Sequence, residues 1–274
     1  MSFTFNNRNC ETFGLAVEKY PPRQTPEKRY NTYEVPGLSG KVFIPQGGYS
    51  NVTQTYEVFV KKGAKSIQQL ISEIAAWLLT PDEPKDLYDT YDTDTVRKAV
   101  FLGGNEWANS LNKYGSCMLE FDCAPQRYDK TPQIQSGDFP GGSVEGFIIG
   151  TGSPKGNGYI DDIIPLIELW ATSWSTPSGE VITVQITNPI TSEVTTIVLT
   201  CTTAYTDKKL VIDMLKGIMY IEHKTTQVKE DVLTYFTVSM TGTLKRRFTY
   251  RCDVDMQVQI ENSHFRADPR WYKL

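Results

Sequence analysis

The sequence predicts a mainly β protein of two domains, with a single helix in the first. Three observations carry that prediction: apolar residues alternate with polar ones at period two over most of the chain, one stretch alone has helical periodicity, and the composition shifts toward Gly and Pro near the middle. At 274 residues the chain exceeds the usual single-domain size. A chain of that length buries about three quarters of its unfolded surface and needs no covalent staples.

Taken in order, residues 20–49 are extended pieces broken by Gly and Pro, ending in EVPGLSGKVFIPQGGY, and read as an arm rather than a packed element. SIQQLISEIAAWLL, residues 66–79, places Ile67, Leu70, Ile71, Ile74 and Leu78 on one stripe. Ser66 with Gln69 has the form of a capping box, and Pro81 lies just past the end. Residues 81–95, PDEPKDLYDTYDTDT, read as a solvated acidic loop. GSCMLEFDC alternates Cys117, Leu119, Phe121 and Cys123 against Ser116, Glu120 and Asp122, as a half-buried strand does.

Between Tyr128 and Tyr159 the chain is rich in Gly, Pro, Ser and Asp, which puts a linker and domain boundary near 130–145 and the domains at 1–135 and 136–274. Beyond it, Pro165 interrupts any helix through YIDDIIPLIELW. VITVQIT and TTIVLTC flank the turn residues NPITSE and pair most simply as a hairpin. LVID and IMYI form a second pair around Lys216 and Gly217, and DVDMQVQIEN alternates Val254, Met256, Val258 and Ile260.

The formal net charge is −4, which opposes a sequence-independent grip on nucleic acid. The basic cluster Lys245, Arg246, Arg247 and Arg251 reads either as a solvated strand edge or as a surface for an acidic partner. The N-terminus carries no secretory pattern, and no apolar stretch approaches the length of a membrane span. Cys10, Cys117, Cys123, Cys201 and Cys252 read as reduced, buried residues. Fifteen tyrosines fit β-structure and subunit interfaces.

No constellation for chemistry emerges. The glycines of 34–49 are followed by another extended piece, whereas a phosphate loop opens a helix; GTGSPKGNG at 150–158 has neither nucleotide-loop spacing. His223 and His264 lack partners at metal-ligand spacing, and the acidic run lacks the central Gly and terminal Glu of a calcium loop. There is no nucleophile elbow, and Trp170 and Trp174 in LWATSW read as core before they read as a sugar platform. The expectation is a non-enzymatic protein with no catalytic, cofactor or metal residues.

The chain as a whole resembles the distal tail proteins of long-tailed, siphophage-type bacteriophages. The likeness rests on FNNRNCETFGLAVEKYPPR near the start, on EVPGLSGKVFIPQGGYSNVTQTYEVFV, on the helix, and on EFDCAPQRY, which is similar to that family's Phe-x-Cys-x-Pro-x-x-Tyr close of the first domain. Further on it rests on YIDDIIPLIELW, LVIDMLKGIMY and the terminal PRWYKL.

The resemblance implies an N-terminal β-sandwich or split-barrel domain with one helix, which forms a homohexameric ring at the end of the tail tube, and a C-terminal galectin-like β-sandwich that docks other parts. Implied partners are copies of itself, the tail tube protein, the tail-associated lysin or hub protein, and receptor-binding or other baseplate proteins. DNA and the tape-measure protein would pass the lumen without specific binding, with no cofactor and no membrane insertion. The implied location is the virion, after assembly in the host bacterial cytoplasm. An arm at 20–49 suits a ring, whose head-to-tail interfaces need two unlike surfaces per subunit. The acidic run 81–95 is expected at the lumen or on the tube-facing side. The alternatives are a lectin-like tail protein, using Trp170, Trp174 or Tyr159, and another tail-tube or tail-completion protein.

Overall fold

The structure is a computed structural model describing residues 1–61, 65–110, 114–139, 143–153, 155–156, 158–171, 174–249, 251–258 and 263–274. The chain divides into two compact units, Met1–Lys130 with Lys273–Leu274, and Thr131–Tyr272. It is mainly β, as the periodicity predicts, with one α-helix among the described residues.

The first unit is built on an antiparallel sheet running in the order Arg8–Asn9, Phe3–Phe5, Lys85–Asp89, Thr95–Phe101, Tyr114–Asp129, Val52–Lys61 and Leu15–Val17. Cys117, Leu119, Phe121 and Cys123 are all buried while Met118 is exposed, so the period-two pattern translates directly into an inside and an outside. The helix Ile67–Leu79 lays its stripe on this core. Both halves of the capping box form, with the Gln69 amide donating to Ser66 Oγ and the Ser66 amide donating to Gln69 Oε1. Trp77, outside the stripe read from the sequence, is buried too, and its indole N–H donates to the Phe5 carbonyl at 3.1 Å. Phe3, Phe5, Tyr56, Trp77 and Phe121 pack ring on ring; Phe3 and Tyr56 stack at 4.6 Å between centroids.

The second unit is built on two large antiparallel sheets, with two short two-stranded ones beside them among the described residues. One runs Gln135–Phe139, Ser263–Asp268, Leu166–Ala171, Lys208–Asp213, Ile218–His223, Lys229–Asp231; the other runs Ser143–Gly150, Arg251–Val258, Val181–Thr187, Val194–Cys201, Phe236–Thr241. Ile167, Leu169, Leu210 and Ile212 from the first and Ile182, Val184, Val254 and Met256 from the second are buried, and Phe147 meets Phe265 across the gap at 4.2 Å. Both hairpins read from the sequence form, Val181–Thr187 with Val194–Cys201 and Lys208–Asp213 with Ile218–His223. Ile260 lies outside the described residues.

Two readings need correction. The stretch 128–159 is not a plain linker, since it contains the strands Gln135–Phe139 and Ser143–Gly150. Composition misled because Gly137 is there for packing: a Cβ on it would come within 2.6 Å of the Phe265 ring, the residue it faces across the sheet. Nor is 81–95 a solvated loop, because Lys85–Asp89 is an interior strand paired on both sides.

Candidate functional site

Of the apolar side chains in the first unit, one group stands apart. Lys28–Glu34 and Lys41–Tyr49 form an antiparallel hairpin that no third strand joins among the described residues, and nearly every residue of it is exposed. Its register pairs Tyr33 with Val42, Thr32 with Phe43 and Asn31 with Ile44. Paired residues share a face and neighbours alternate, so Tyr33, Val42 and Ile44 decorate one face, and Tyr30 and Phe43 the other. Tyr33 is 52% exposed, Phe43 62% and Ile44 49%. The only ring contact these aromatics make among the described residues is with each other, Tyr30 edge-on to Phe43 at 5.9 Å.

Local chemistry explains the shape. Leu38 donates its amide to the Val35 carbonyl at 3.0 Å, closing a tight turn with Pro36 in the first central position and Gly37, at φ +84°, in the second. That is the type II pattern, which needs a residue tolerant of positive φ. Gly47 and Gly48 also sit at positive φ, where the pairing slips between Lys28 and Tyr30 and the second strand carries the extra residues of a bulge. Gly37 and Gly47 have open space around them, so conformation and not crowding requires glycine.

The hairpin's base is tied down. Gln24 Oε1 accepts from the Thr53 amide at 3.2 Å, and the Ser50 amide donates to the Glu27 carbonyl at 2.8 Å. Arg23 lies over the Tyr91 ring at 4.9 Å, and Tyr20 packs on the same ring. The arm is thus anchored at its root and bare beyond it.

The other sequence candidates turn out to be engaged. In the acidic run, Asp89 Oδ2 accepts from the Tyr56 hydroxyl at 2.9 Å, Asp86 pairs with Lys98, and Asp92 accepts from Thr95 at 2.8 Å and pairs with Arg127 at 2.7 Å. Burial alone raises the Asp92 carboxyl, but the Thr95 hydrogen bond and the Arg127 and Arg23 charges outweigh it and hold the group below its ordinary range. Three of the run's six acids, Asp86, Asp89 and Asp92, therefore take part in contacts within the unit.

Trp170 and Trp174 stack on each other at 5.3 Å; His264 stacks against Trp170 at 5.9 Å and Lys224 lies over Trp174 at 4.4 Å. These contacts take up part of the ring surface that a sugar would need. Lys155 similarly covers Tyr159 at 4.3 Å. His223 Nδ1 accepts the Thr225 and Thr226 amides in a turn, and His264 pairs with Asp138. In the basic cluster, Lys245 pairs with Glu193 and Arg251 with Asp253. The five cysteines are free and buried, and burial pushes the Cys117 and Cys123 thiols up to about 11, away from nucleophilic character. Among the described residues, no group of three or more His, Cys, Asp or Glu is placed to hold a metal.

Sequence reading located the arm but not its exposed apolar set. The signal was Val42-Phe43-Ile44: three consecutive apolar residues in a strand put apolar surface on both faces, which a half-buried strand does not do.

No family model matches the chain, and no curated protein matches it in sequence. Solved structures do. The SPP1 Dit (gp 19.1) protein, described as a paradigm of the hub adsorption apparatus in phages infecting Gram-positive bacteria, aligns over 97% of this chain and 97% of its own, with TM-score 0.57 and 10% identity. A chain of the phage P2 baseplate in its activated conformation with Ca aligns over 94% of this chain and 91% of its own, with TM-score 0.52 and 10% identity. The fold is shared over both units, at an identity where little but the fold remains comparable.

Proposed function

We propose that the chain is a structural component of a phage tail tip, which closes into a homohexameric ring through its exposed hairpin and carries its second unit, a galectin-like sandwich, as a docking domain. The observation that carries this reading is the hairpin of residues 28–49, whose two faces leave Tyr30, Tyr33, Val42, Phe43 and Ile44 uncovered by their own chain. A two-stranded ribbon is marginal alone, and its free edges and apolar faces are a liability unless another surface covers them. A neighbouring copy meets that need in a ring of head-to-tail contacts, where an arm and its receiving surface are unlike patches of one molecule. The shared fold with the two phage tail proteins supports the same reading.

In this role the ring joins the tail tube protein to the hub or lysin protein, the second unit docks receptor-binding or other baseplate parts, and DNA and tape measure pass through the centre. The protein acts in the virion, without catalysis. Native mass measurement of the purified full chain tests it: a six-fold mass that falls to a monomer in Phe43→Ser/Ile44→Ser supports the ring, and a wild-type monomer at high concentration overturns it.

A further inference from the structure

The first unit has a small, half-open cavity of mixed polar and apolar lining that neither the fold nor the hairpin accounts for. It measures about 40 Å³, and its lining includes Gln54, Tyr56, Asp89, Asp92, Arg97 and Arg127, with Arg23 and Tyr91 also bordering it. At ~15 Å³ for each water centre, that is room for two or three waters, or for one group of carboxylate size.

Its electrostatics are unbalanced. Arg97 is only 8% exposed, and its register neighbours are Leu87 on one side and Arg127 on the other. Like charges directly opposite each other on a sheet destabilise it, and a buried cation without a counter-charge does so more. Arg127 has partners: Asp92 at 2.7 Å and the Leu274 main-chain oxygen at 2.7 Å. Asp92 is shared further with Arg23 at 3.4 Å, and Asp89 accepts the Tyr56 hydroxyl. Among the described residues no carboxylate lies within the 4.0 Å of an ion pair from Arg97. Burial accordingly depresses the guanidinium below its ordinary value.

The unpaired groups share one chemistry. Arg97 Nε, Arg127 Nε and Gln54 Nε2 are buried without a hydrogen-bond partner, and all three are donors. An anion with only acceptor oxygens fits all three. The lining holds three guanidinium groups against two carboxylate side chains. A carboxylate has the size, the charge and the planar two-oxygen geometry that a guanidinium fork takes.

We propose that this cavity is a binding site for a single carboxylate group, held by Arg97 with Gln54 and Arg127. Two sources share that chemistry: a small free carboxylate, or an Asp or Glu side chain of a second copy of this chain entering at Arg23. The inference stands on the first unit alone and does not require the ring. Pro21 and Arg23, in the chain leading into the hairpin, border the cavity, so an occupant there also braces the arm's root.

The test compares thermal melting of the full chain in sodium formate with melting in equal sodium chloride, alongside sedimentation, for wild type, Arg97→Met and Gln54→Leu. Removing an unpaired buried charge does not itself cost stability, so Arg97→Met in chloride is expected to melt at or above wild type. With a free carboxylate as ligand, saturating formate raises the wild-type melting temperature by about 5 °C over chloride, weakens in Gln54→Leu and has no such effect on Arg97→Met. With a neighbour's carboxylate as ligand, formate matches chloride, and Arg97→Met shifts self-association toward monomer by about tenfold. The proposal is overturned if formate acts as chloride does while association is unchanged in Arg97→Met, or if Arg97→Met responds to formate as wild type does.

Discussion

The first unit contains two aromatic groups of similar composition and opposite fate. Phe3, Phe5, Tyr56, Trp77 and Phe121 are all buried, packed between helix and sheet. Tyr30, Tyr33 and Phe43, no less apolar, stand on a ribbon and are between 44% and 62% exposed. The difference lies in what stands opposite each group. The buried set has a helix with an apolar stripe laid over it, whereas the hairpin has apolar residues on both faces and, among the described residues, no second layer. A chain that could fill its core with aromatics and still leaves these in water points to a surface completed by another molecule.

The sharpest way to break the comparison is from the buried side. Trp77→Ala removes a ring that stacks on Phe13 at 4.5 Å and an N–H that satisfies the Phe5 carbonyl, and is expected to cost about 3–5 kcal/mol of folding stability. Chemical denaturation reads that value directly. A loss near that of a surface substitution means the helix is not part of the core.

Smaller is the effect of the helix's first turn. Ser66→Ala removes the hydroxyl that accepts the Gln69 amide, and is expected to cost about 1 kcal/mol. Stability equal to wild type means the capping box is idle in solution.

The helix was legible because both of its ends and its stripe are written within sixteen residues, from Ser66 to Pro81. The strands around Cys117 and Val254 were legible for the same reason, since alternation is local. What sequence could not show depends on partners far along the chain. Gly137 is glycine because Phe265 lies across it, and Asp92 looks solvated until Arg127 and Arg23 are placed beside it. The arm at 20–49 was legible from its glycines and prolines, but whether its apolar residues found cover within the chain was a tertiary question. Arg97 and Arg127 are 30 positions apart in sequence, and only the register makes them neighbours.

Asp92 ties the acid response to this same region. Its carboxyl titrates below its unfolded value of about 3.9, so the stability it contributes is complete above that pH and is lost as the pH falls through the lower, folded value. Melting of wild type should therefore decline below about pH 4 with a component that Asp92→Asn removes. Parallel acid profiles in the two proteins assign the decline to other groups.

The smallest effect on folding is expected from the exposed set, and its size separates the two aromatic groups. Phe43 and Ile44 face away from the core, so Phe43→Ser/Ile44→Ser should change the folding stability of the dissociated chain by no more than about 0.5 kcal/mol per site. The same double substitution strips one apolar side chain from each face of the ribbon and should abolish self-association, because apolar anchors dominate an interface while its rim contributes little. Denaturation of dilute protein measures the first quantity and sedimentation at high concentration the second. If stability falls by several kcal/mol with association intact, the hairpin packs on its own chain in solution and the two aromatic groups are of one kind. If neither quantity moves, the ribbon serves a partner other than a second copy.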